Sequence, residues 1–216
     1  IAKINLRICY PNLSEAEIDK LARDSLIALG KTYAEMGMSW MWPIPKVQKL
    51  ITKFEGLEHL EKALADKNGI IMISPHRKRV DVGLVPADRS GVEALYKLLD
   101  EKKVIAVLPD QEPGLKSGVF APFFGHPALT GKLIGELARN TPAALLCCYG
   151  KRLEDGTYSV MIQPANSDIR NPDELLAATA LNQSIEQCIN DCPEQYHWNY
   201  KRFRRQPEGR SNFYKK

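Results

Sequence analysis

The sequence predicts an α/β fold with a largely parallel central sheet flanked by helices. Three short apolar runs, at 70–74, 104–108 and 143–149, have the continuous hydrophobic character of strands buried on both faces. Segments with helical periodicity, at 91–103 and 130–140, separate these runs. Buried strands that alternate with helices are typical of a parallel sheet. A chain of 216 residues is long enough for one sizeable core, so we expect a single domain.

A long helix is predicted near the start of the chain, over 11–36. Ser14 is a favourable N-cap residue, and Glu17, three positions later, completes a capping box. The segment 37–46, which reads GMSWMWPIPK, cannot continue as a regular helix past Pro43. Its large apolar side chains either pack in the core or form a lip that meets acyl chains. Packing is favoured because such side chains are usually buried.

Two further helices and a hairpin complete the predicted elements. A helix is predicted over 57–66, ahead of the first apolar run. The segment 151–164 has the pattern of a hairpin with an Asp-Gly turn at 155–156. The last predicted helix spans 171–191. Asn171 is its expected cap, and the proline after it suits the first turn.

Positive charge is concentrated at the C-terminus. The formal net charge is +4, and residues 201–216 carry seven Lys or Arg and one Glu. We therefore divide the domain into a helical lead-in (1–56), an α/β core (57–200) and a basic tail (201–216). A basic tail with aromatic residues suits lipid headgroups, lipid phosphates or an acidic carrier protein, and a solvated tail is the alternative. Nucleic acid is not expected as a partner, because the sequence has no nucleic-acid-binding signature.

The cysteines indicate neither a metal site nor a disulfide framework. Their number is odd, and no CxxC pair or zinc-finger spacing occurs. Reduced thiols in a reducing compartment fit this pattern best. No run approaches the roughly 18 apolar residues of a membrane span. The chain starts at Ile1 rather than Met, which indicates a piece of a longer protein whose anchor or leader would lie upstream.

A lone histidine, His76, comes two residues after the first apolar run, and Asp81 lies five positions later. Neutral imidazole is a suitable general base near pH 7, because its ordinary pKa is about 6.5. A carboxylate on the far nitrogen fixes the tautomer and stabilises the imidazolium. The His-x4-Asp spacing alone also fits two satisfied structural residues. Its place at the carboxyl end of a strand makes the catalytic interpretation about equally strong.

The second apolar run leads into Asp110 and Gln111, which we expect on the same edge of the sheet as His76. The chain has no G-x-S-x-G nucleophile elbow. The chemistry that fits is therefore direct attack of a substrate hydroxyl, activated by histidine, on an acyl carbonyl. The resulting oxyanion needs to be stabilised by arginine, lysine or backbone amides, and Arg77 and Arg79 are close to His76 in the sequence.

Several blocks in one order resemble the late acyltransferases of lipid A biosynthesis, the lauroyl and myristoyl transferase family within the larger His-x4-Asp/Glu acyltransferases. The resemblance runs nearly end to end. Its blocks are INLRICYPNLSEAEID, GMSWMWP, KFEGLEHLEKALADKNGIIMISPH, LVPADRSGVEALYKLL, VIAVLPDQEPG, GVFAPFFGHPALT and PEQYHWNYKRFRRQPEG.

The resemblance implies transfer of a fatty acyl chain, usually from acyl carrier protein, onto a hydroxyl of an acyl chain already on a lipid A precursor. It implies a fold like that of glycerolipid acyltransferases and no metal or other cofactor. It also implies an inner-membrane enzyme, active on the cytoplasmic side, with one N-terminal membrane helix. His76 matches the catalytic histidine and Asp110 the acid of the PD block. The family's arginine matches Arg77 or, with a small shift, Arg79.

The chain departs from the family just after the histidine. The family usually has glutamate five residues after it, and a longer stretch then precedes the arginine. Here RKRVDVGLVPAD follows His76 directly, so we expect a segment to be missing between His76 and Arg77. Asp81 would then imitate the catalytic acid by position alone. Asp81 is the catalytic acid only if His76 and Arg77 are directly joined in the protein.

Cations of the tail are candidate contacts for lipid A phosphates, anionic headgroups or an acidic carrier protein. The residues concerned are Lys201, Arg202, Arg204 and Arg205. Two rival functions remain open at this point. One is a lysophospholipid or glycerolipid acyltransferase that uses the same dyad, and the other is a non-catalytic homologue that binds membranes.

Overall fold

The computed structural model describes residues 1–75, 85–86 and 88–214. Its helices are α1 (Ala2–Cys9), α2 (Glu15–Met41), α3 (Ile44–Gln48), α4 (Leu57–Ala65), α5 (Arg89–Asp100), α6 (Leu133–Asn140) and α7 (Glu174–Asp191). Its strands are β1 (Ile51–Glu55), β2 (Ile70–Ile73), β3 (Val104–Val107), β4 (Gly118–Phe123), β5 (His126–Gly131), β6 (Ala144–Arg152) and β7 (Tyr158–Pro164).

The main sheet has the order β1-β7-β6-β2-β3. Strand β2 runs parallel to both of its neighbours, β6 and β3, and β1 runs parallel to β7. The antiparallel pair is the β6–β7 hairpin. The predicted α/β class with a largely parallel sheet is therefore confirmed.

The apolar runs become strands for the expected reason in the centre of the sheet. Ile70, Ile71 and Ile73 of β2 are buried, because β6 and β3 flank this strand and helices cover the sheet. Strand β3 is less buried than predicted. It is the outermost described strand, and Val104 at its start is exposed.

The capping box at the start of α2 is confirmed. The Ser14 amide donates to Glu17 Oε2 at 2.8 Å, and the Glu17 amide donates to Ser14 Oγ at 3.4 Å. The helix ends at Met41, two residues before Pro43, since proline cannot supply the amide that a continuing helix needs.

The cap of α7 differs from the prediction. Asp173, not Asn171, accepts from the amides of Leu175 at 2.7 Å and Leu176 at 3.1 Å. Asn171 instead accepts from the Asp173 amide at 2.9 Å. It thereby closes the turn that precedes the helix, and the intervening proline lies outside the helix.

The hairpin over 151–164 is confirmed, with Gly156 at φ 84° and Asp155 accepting from the Thr157 amide at 2.9 Å. A second hairpin, β4–β5, was not predicted. Its two-residue turn places Phe124 at φ 48° and Gly125 at φ 75°. Because β5 continues to Gly131, the helix expected from residue 130 begins only at Leu133.

Both ends of the chain pack into the main core. Leu6 of α1 and Phe203 in the predicted tail have no exposed surface, and Trp198 packs in the same cluster. The lead-in also supplies strand β1, beyond the helices predicted there. The five cysteines are free thiols. In the part of the chain that the structure describes, no helix is long and apolar enough to span a bilayer.

Candidate active site

The carboxyl ends of β2 and β3 lie side by side. Ile73 pairs with Val107 in the sheet register, and the Ser74 amide donates to the Val107 carbonyl at 3.1 Å. The chain then passes through buried Pro75, which immediately precedes His76 in the sequence. From the other strand it passes into the loop 109–114, which we call the acid loop because it contains Asp110.

Some of the residues predicted for the site fall outside the described part of the chain. These are His76, Arg77, Arg79 and Asp81. The structure does describe Asp110, Gln111 and the four cations of the tail.

Asp110 is buried, with 4% of its surface exposed. It forms a side-chain hydrogen bond with Tyr196 and lies within electrostatic reach of Arg202. Burial, together with the nearby Asp110 charge, raises the pKa of the Tyr196 hydroxyl well above its ordinary value, so this hydroxyl stays protonated. Tyr196 and Arg202 thus give the carboxyl group of Asp110 a fixed polar environment.

Arg202 is not a surface cation, contrary to its grouping with the lipid-binding tail residues. It is 3% exposed, and it donates to the Leu129 carbonyl at 2.7 Å and to Thr130 Oγ1 at 3.0 Å. Its guanidinium carbon lies 5.1 Å from the centre of the Phe123 ring. Burial lowers the pKa of Arg202, and the charge of Asp110 opposes this effect. Arg202 is therefore a buried partner of the acid loop.

Glu112 joins the acid loop to the C-terminal segment. Its side chain has no exposed surface. Its carboxylate accepts from the Arg205 amide at 2.8 Å and from Arg204 Nε at 3.3 Å. Its own amide donates to the Tyr200 hydroxyl at 2.9 Å.

Arg205 adds a further contact, from Nη1 to the Pro113 carbonyl at 2.7 Å. Residues 196–205, which we call the C-terminal clamp, therefore hold the acid loop through Asp110, Glu112 and Pro113.

The clamp is itself attached to α1. Asn5 Nδ2 donates to the carbonyls of Trp198 and Tyr200, both at 2.7 Å. The Tyr214 hydroxyl is hydrogen bonded to Asn5 Oδ1. Asn5 is buried, so these bonds are shielded from water.

The other predicted contact residues differ in their surroundings. Lys201 is exposed, and its ammonium lies 5.7 Å from the centre of the Tyr214 ring. Arg204 and Arg205 are partly exposed but engaged with Glu112. Gln111 is exposed on the acid loop, next to buried Asp110.

Sequence reasoning missed the clamp residues Tyr196 and Tyr200, and it missed Asn5. Only the family resemblance marked the block that contains the two tyrosines, without indicating a structural role. Hydrogen bonds across nearly the whole chain leave no local pattern in the sequence.

The arrangement provides a buried, fixed carboxylate with a cation beside it, at the sheet edge where the chain leads into His76. Residues 1–75, 85–86 and 88–214 contain no group of three or more His, Cys, Asp or Glu side chains that could hold a metal ion.

Comparison with known families identifies this architecture. The sequence profile described as bacterial lipid A biosynthesis acyltransferase matches residues 1–86 and 77–205. The chain belongs to this family. It is therefore an acyltransferase, in agreement with the family predicted from the sequence blocks.

Individual members of the acyltransferase family match over most of the chain. The lipid A biosynthesis lauroyltransferase of Escherichia coli K12 is 28% identical in an alignment 241 positions long, which covers 95% of this chain and 78% of the relative. The palmitoleoyltransferase of the same organism is 28% identical over 250 residues, with 99% and 81% covered. A lipid A biosynthesis acyltransferase of Haemophilus influenzae is 26% identical, with 96% and 78% covered.

Two features of these matches concern how the chain aligns with its relatives. The family profile matches in two stretches, and they meet at residues 77–86. The alignment with the palmitoleoyltransferase has 250 positions, more than the 216 residues of this acyltransferase. The alignment therefore contains positions of the relative that no residue of this chain occupies.

Proposed function

We propose that this acyltransferase moves a fatty acyl chain from acyl carrier protein to a hydroxyl of a lipid A precursor, with His76 as general base. The observation that carries the proposal is the shared edge of β2 and β3. Pro75, which precedes His76 in the sequence, and the loop that carries buried Asp110 both follow this edge, which supports a site that combines His76 and Asp110. The relatives' names, which specify lipid A biosynthesis and particular acyl chains, support the acceptor and the reaction.

The chemistry is a direct transfer. His76 takes the proton of the acceptor hydroxyl as its oxygen attacks the carbonyl carbon of the acyl thioester. An ester C–O bond forms, the C–S bond breaks, and the proton passes from the imidazolium to the departing thiolate, which leaves as a thiol. Arg77 or Arg79 stabilises the oxyanion that forms on the carbonyl oxygen. Asp110 supplies a negative charge in a fixed position near this centre, and Gln111 on the acid loop contacts the substrate.

We further propose that, relative to the family, a segment is missing between His76 and Arg77. The two-stretch match and the alignment longer than the chain support this interpretation. Peptide mapping of the cellular protein across 75–82 tests it. A peptide that joins His76 directly to Arg77 would return Asp81 to the role of acid partner. Additional residues in that peptide would remove Asp81 from the role.

The acceptor is a membrane lipid, so we propose that the enzyme works at the cytoplasmic face of the inner membrane. We also propose that acyl carrier protein delivers the acyl chain on that side of the membrane. Fractionation of cells into membrane and soluble material tests the location.

The decisive experiment replaces the base. His76→Ala should lower acyl transfer from acyl carrier protein to a lipid A precursor by about 10²–10⁴-fold, the usual worth of a general base. The melting temperature should stay close to that of the wild type. His59→Ala, on α4 and partly exposed, is the matched control and should keep full activity. Turnover near the wild-type rate in His76→Ala would exclude the proposed mechanism.

Parallel assays with a lysophospholipid acceptor separate the rival functions. Preference for lysophospholipid over lipid A precursor would identify a glycerolipid acyltransferase. No transfer to either acceptor by a folded wild-type protein would identify a non-catalytic homologue.

A further inference from the structure

One face of α2 carries a continuous apolar stripe on the protein surface. The stripe follows helical spacing, with steps of three and four residues that keep its main members on one side of the helix. All of its members are exposed: Leu26, Ile27, Gly30, Tyr33, Ala34, Gly37 and Met41. From Leu26 to Met41 the stripe is about 22 Å long at 1.5 Å per residue.

Within residues 1–75, 85–86 and 88–214, nothing covers the stripe. Met41 is 82% exposed and Tyr33 is 55% exposed. A Cβ atom added at Gly30 or Gly37 would meet nothing within 4 Å. Monomeric soluble proteins rarely expose contiguous apolar surface of this extent, so the stripe calls for a partner.

The apolar surface continues into α3, where Ile44 is exposed and no residue is buried. Trp42 lies between the two helices, with the Lys46 ammonium 3.6 Å from its ring centre. An aromatic ring with a cation beside it is typical of the boundary between lipid headgroups and acyl chains. The exposed apolar residues of the 37–46 segment were expected to pack in the core. This expectation is wrong for Met41 and Ile44, which are exposed.

The exposed charged side chains of residues 26–49 are all cations. Lys31, Lys46 and Lys49 are exposed. The one carboxylate in the sequence from 26 to 54 is Glu35, and it is held by Arg152 and Tyr158. A fourth cation, Lys53, is paired with Glu55 at 2.8 Å. An apolar surface bordered by cations is complementary to an anionic lipid bilayer.

We propose that the stripe on α2, together with Trp42, Ile44 and the lysines of α3, is a surface that binds anionic membrane lipid. This deepens the proposed function and rests on it for the purpose of the contact, which is to keep the enzyme at the surface that holds its lipid acceptor. The stripe enters the boundary between headgroups and acyl chains, and the lysines meet lipid phosphates.

Vesicle flotation of the full chain tests the proposal without any acyl transfer. The wild type should bind vesicles of phosphatidylethanolamine and phosphatidylglycerol and should bind pure phosphatidylcholine vesicles much more weakly. Tyr33→Glu/Met41→Glu should weaken binding to the anionic vesicles by at least about tenfold, because two charges replace buried apolar contacts. Lys46→Ala/Lys49→Ala should weaken it by about tenfold at low salt and less at high salt.

The matched control is Leu175→Glu/Leu176→Glu, which places two charges at exposed leucines of α7. This variant should float like the wild type, and all variants should keep the wild-type melting temperature. Equal loss in the control, or undiminished binding of Tyr33→Glu/Met41→Glu, would overturn the proposal. So would a change in oligomeric state of Tyr33→Glu/Met41→Glu in size-exclusion chromatography, since the stripe would then be an interface between copies.

An acyl-transfer assay with a detergent-dispersed acceptor separates this proposal from the proposed function. Tyr33→Glu/Met41→Glu should retain transfer in detergent while losing vesicle binding. Wild-type vesicle binding without transfer would defeat the proposed function and leave the lipid-binding surface intact.

Discussion

Glu186 on α7 shows how a single carboxylate can hold a strained turn. Its Oε1 accepts from the amide of Phe124 at 2.7 Å, and Phe124 has a positive φ of 48° that bulky residues rarely adopt. The Phe124 ring packs edge-on against Tyr10, with centroids 5.3 Å apart. Burial raises the pKa of the Glu186 carboxyl, and the hydrogen bond from Phe124 opposes this effect.

Glu186→Gln should stabilise the protein near neutral pH. Because the folded-state pKa is raised, the folded protein binds the proton more tightly than the unfolded chain, so stability falls as pH rises through the two pKa values. Glutamine keeps the acceptor oxygen and removes the charge. Melting curves should therefore show a gain of a few degrees at neutral pH that disappears below about pH 4. A gain of the same size at both pH values would show that desolvation of the charge is not the cause.

Arg202 marks the limit of sequence reasoning for single residues. A run of basic residues near a terminus indicates a solvated surface, and Lys201 fits that expectation. Arg202 is buried because Leu129 and Thr130, more than seventy positions away, supply its acceptors. Only the three-dimensional fold brings those partners to it.

At the scale of elements, the C-terminal clamp holds the acid loop, and Arg205 is the clamp residue that we expect to position this loop. Arg205→Ala removes the contact to Pro113 and loosens the acid loop. Acyl transfer should fall through kcat by about tenfold with KM nearly unchanged, because the bound substrate would face a poorly placed Asp110 loop. Steady-state kinetics measures kcat and KM separately.

Arg205→Lys should recover part of the lost kcat, since it keeps one donor. Arg210→Ala changes another cation of the same segment, one that is exposed, and should leave both constants unchanged. A rise in KM alone would mean that Arg205 binds substrate instead of positioning the loop.

Elements were predictable where the pattern was local. The buried run of β2, the capping box of Ser14 and the Asp-Gly turn at 155–156 each have a signature within a few residues. Strand β1 and the β4–β5 hairpin lack one. In β1, charged and polar residues lie among the apolar ones. In the turn of β4–β5, Phe124 occupies a position where Asn or Gly would have been the usual signal.

At the scale of the whole molecule, the start of the predicted basic tail is part of the core, through Arg202 and Phe203. Ending the chain after Tyr200 would remove Arg202 and Phe203. Losing a buried aromatic side chain alone costs about 3–5 kcal/mol, a large share of the 5–15 kcal/mol that holds a typical domain together. The truncated protein should be insoluble or lack a cooperative thermal transition.

Charge removal is the contrasting variant for that prediction. Lys201→Ala/Arg210→Ala removes two exposed cations of the same segment without touching the buried side chains. It should unfold at the wild-type temperature. A soluble, cooperatively folding truncation would mean that residues after 200 are dispensable for the fold.

The overall class was predictable because a parallel sheet needs buried strands and intervening helices, and both leave strong patterns. The shared edge of β2 and β3 followed from that class, and the loop with Asp110 follows β3 as predicted, while the pairing of Asp110 with His76 stays a prediction. The support of Asp110 by Tyr196 could not be predicted, because long-range hydrogen bonds have no signature in one sequence.

The link from Asn5 to Trp198 and Tyr200 has a consequence for synthesis on the ribosome. Asn5 emerges early, and its partners are translated 193 and 195 residues later. The acid loop is complete in the nascent chain well before the clamp that supports it. Until residues 196–205 have been translated, Asp110 lacks Tyr196 and Arg202, so a chain interrupted before them leaves the acid loop without its support.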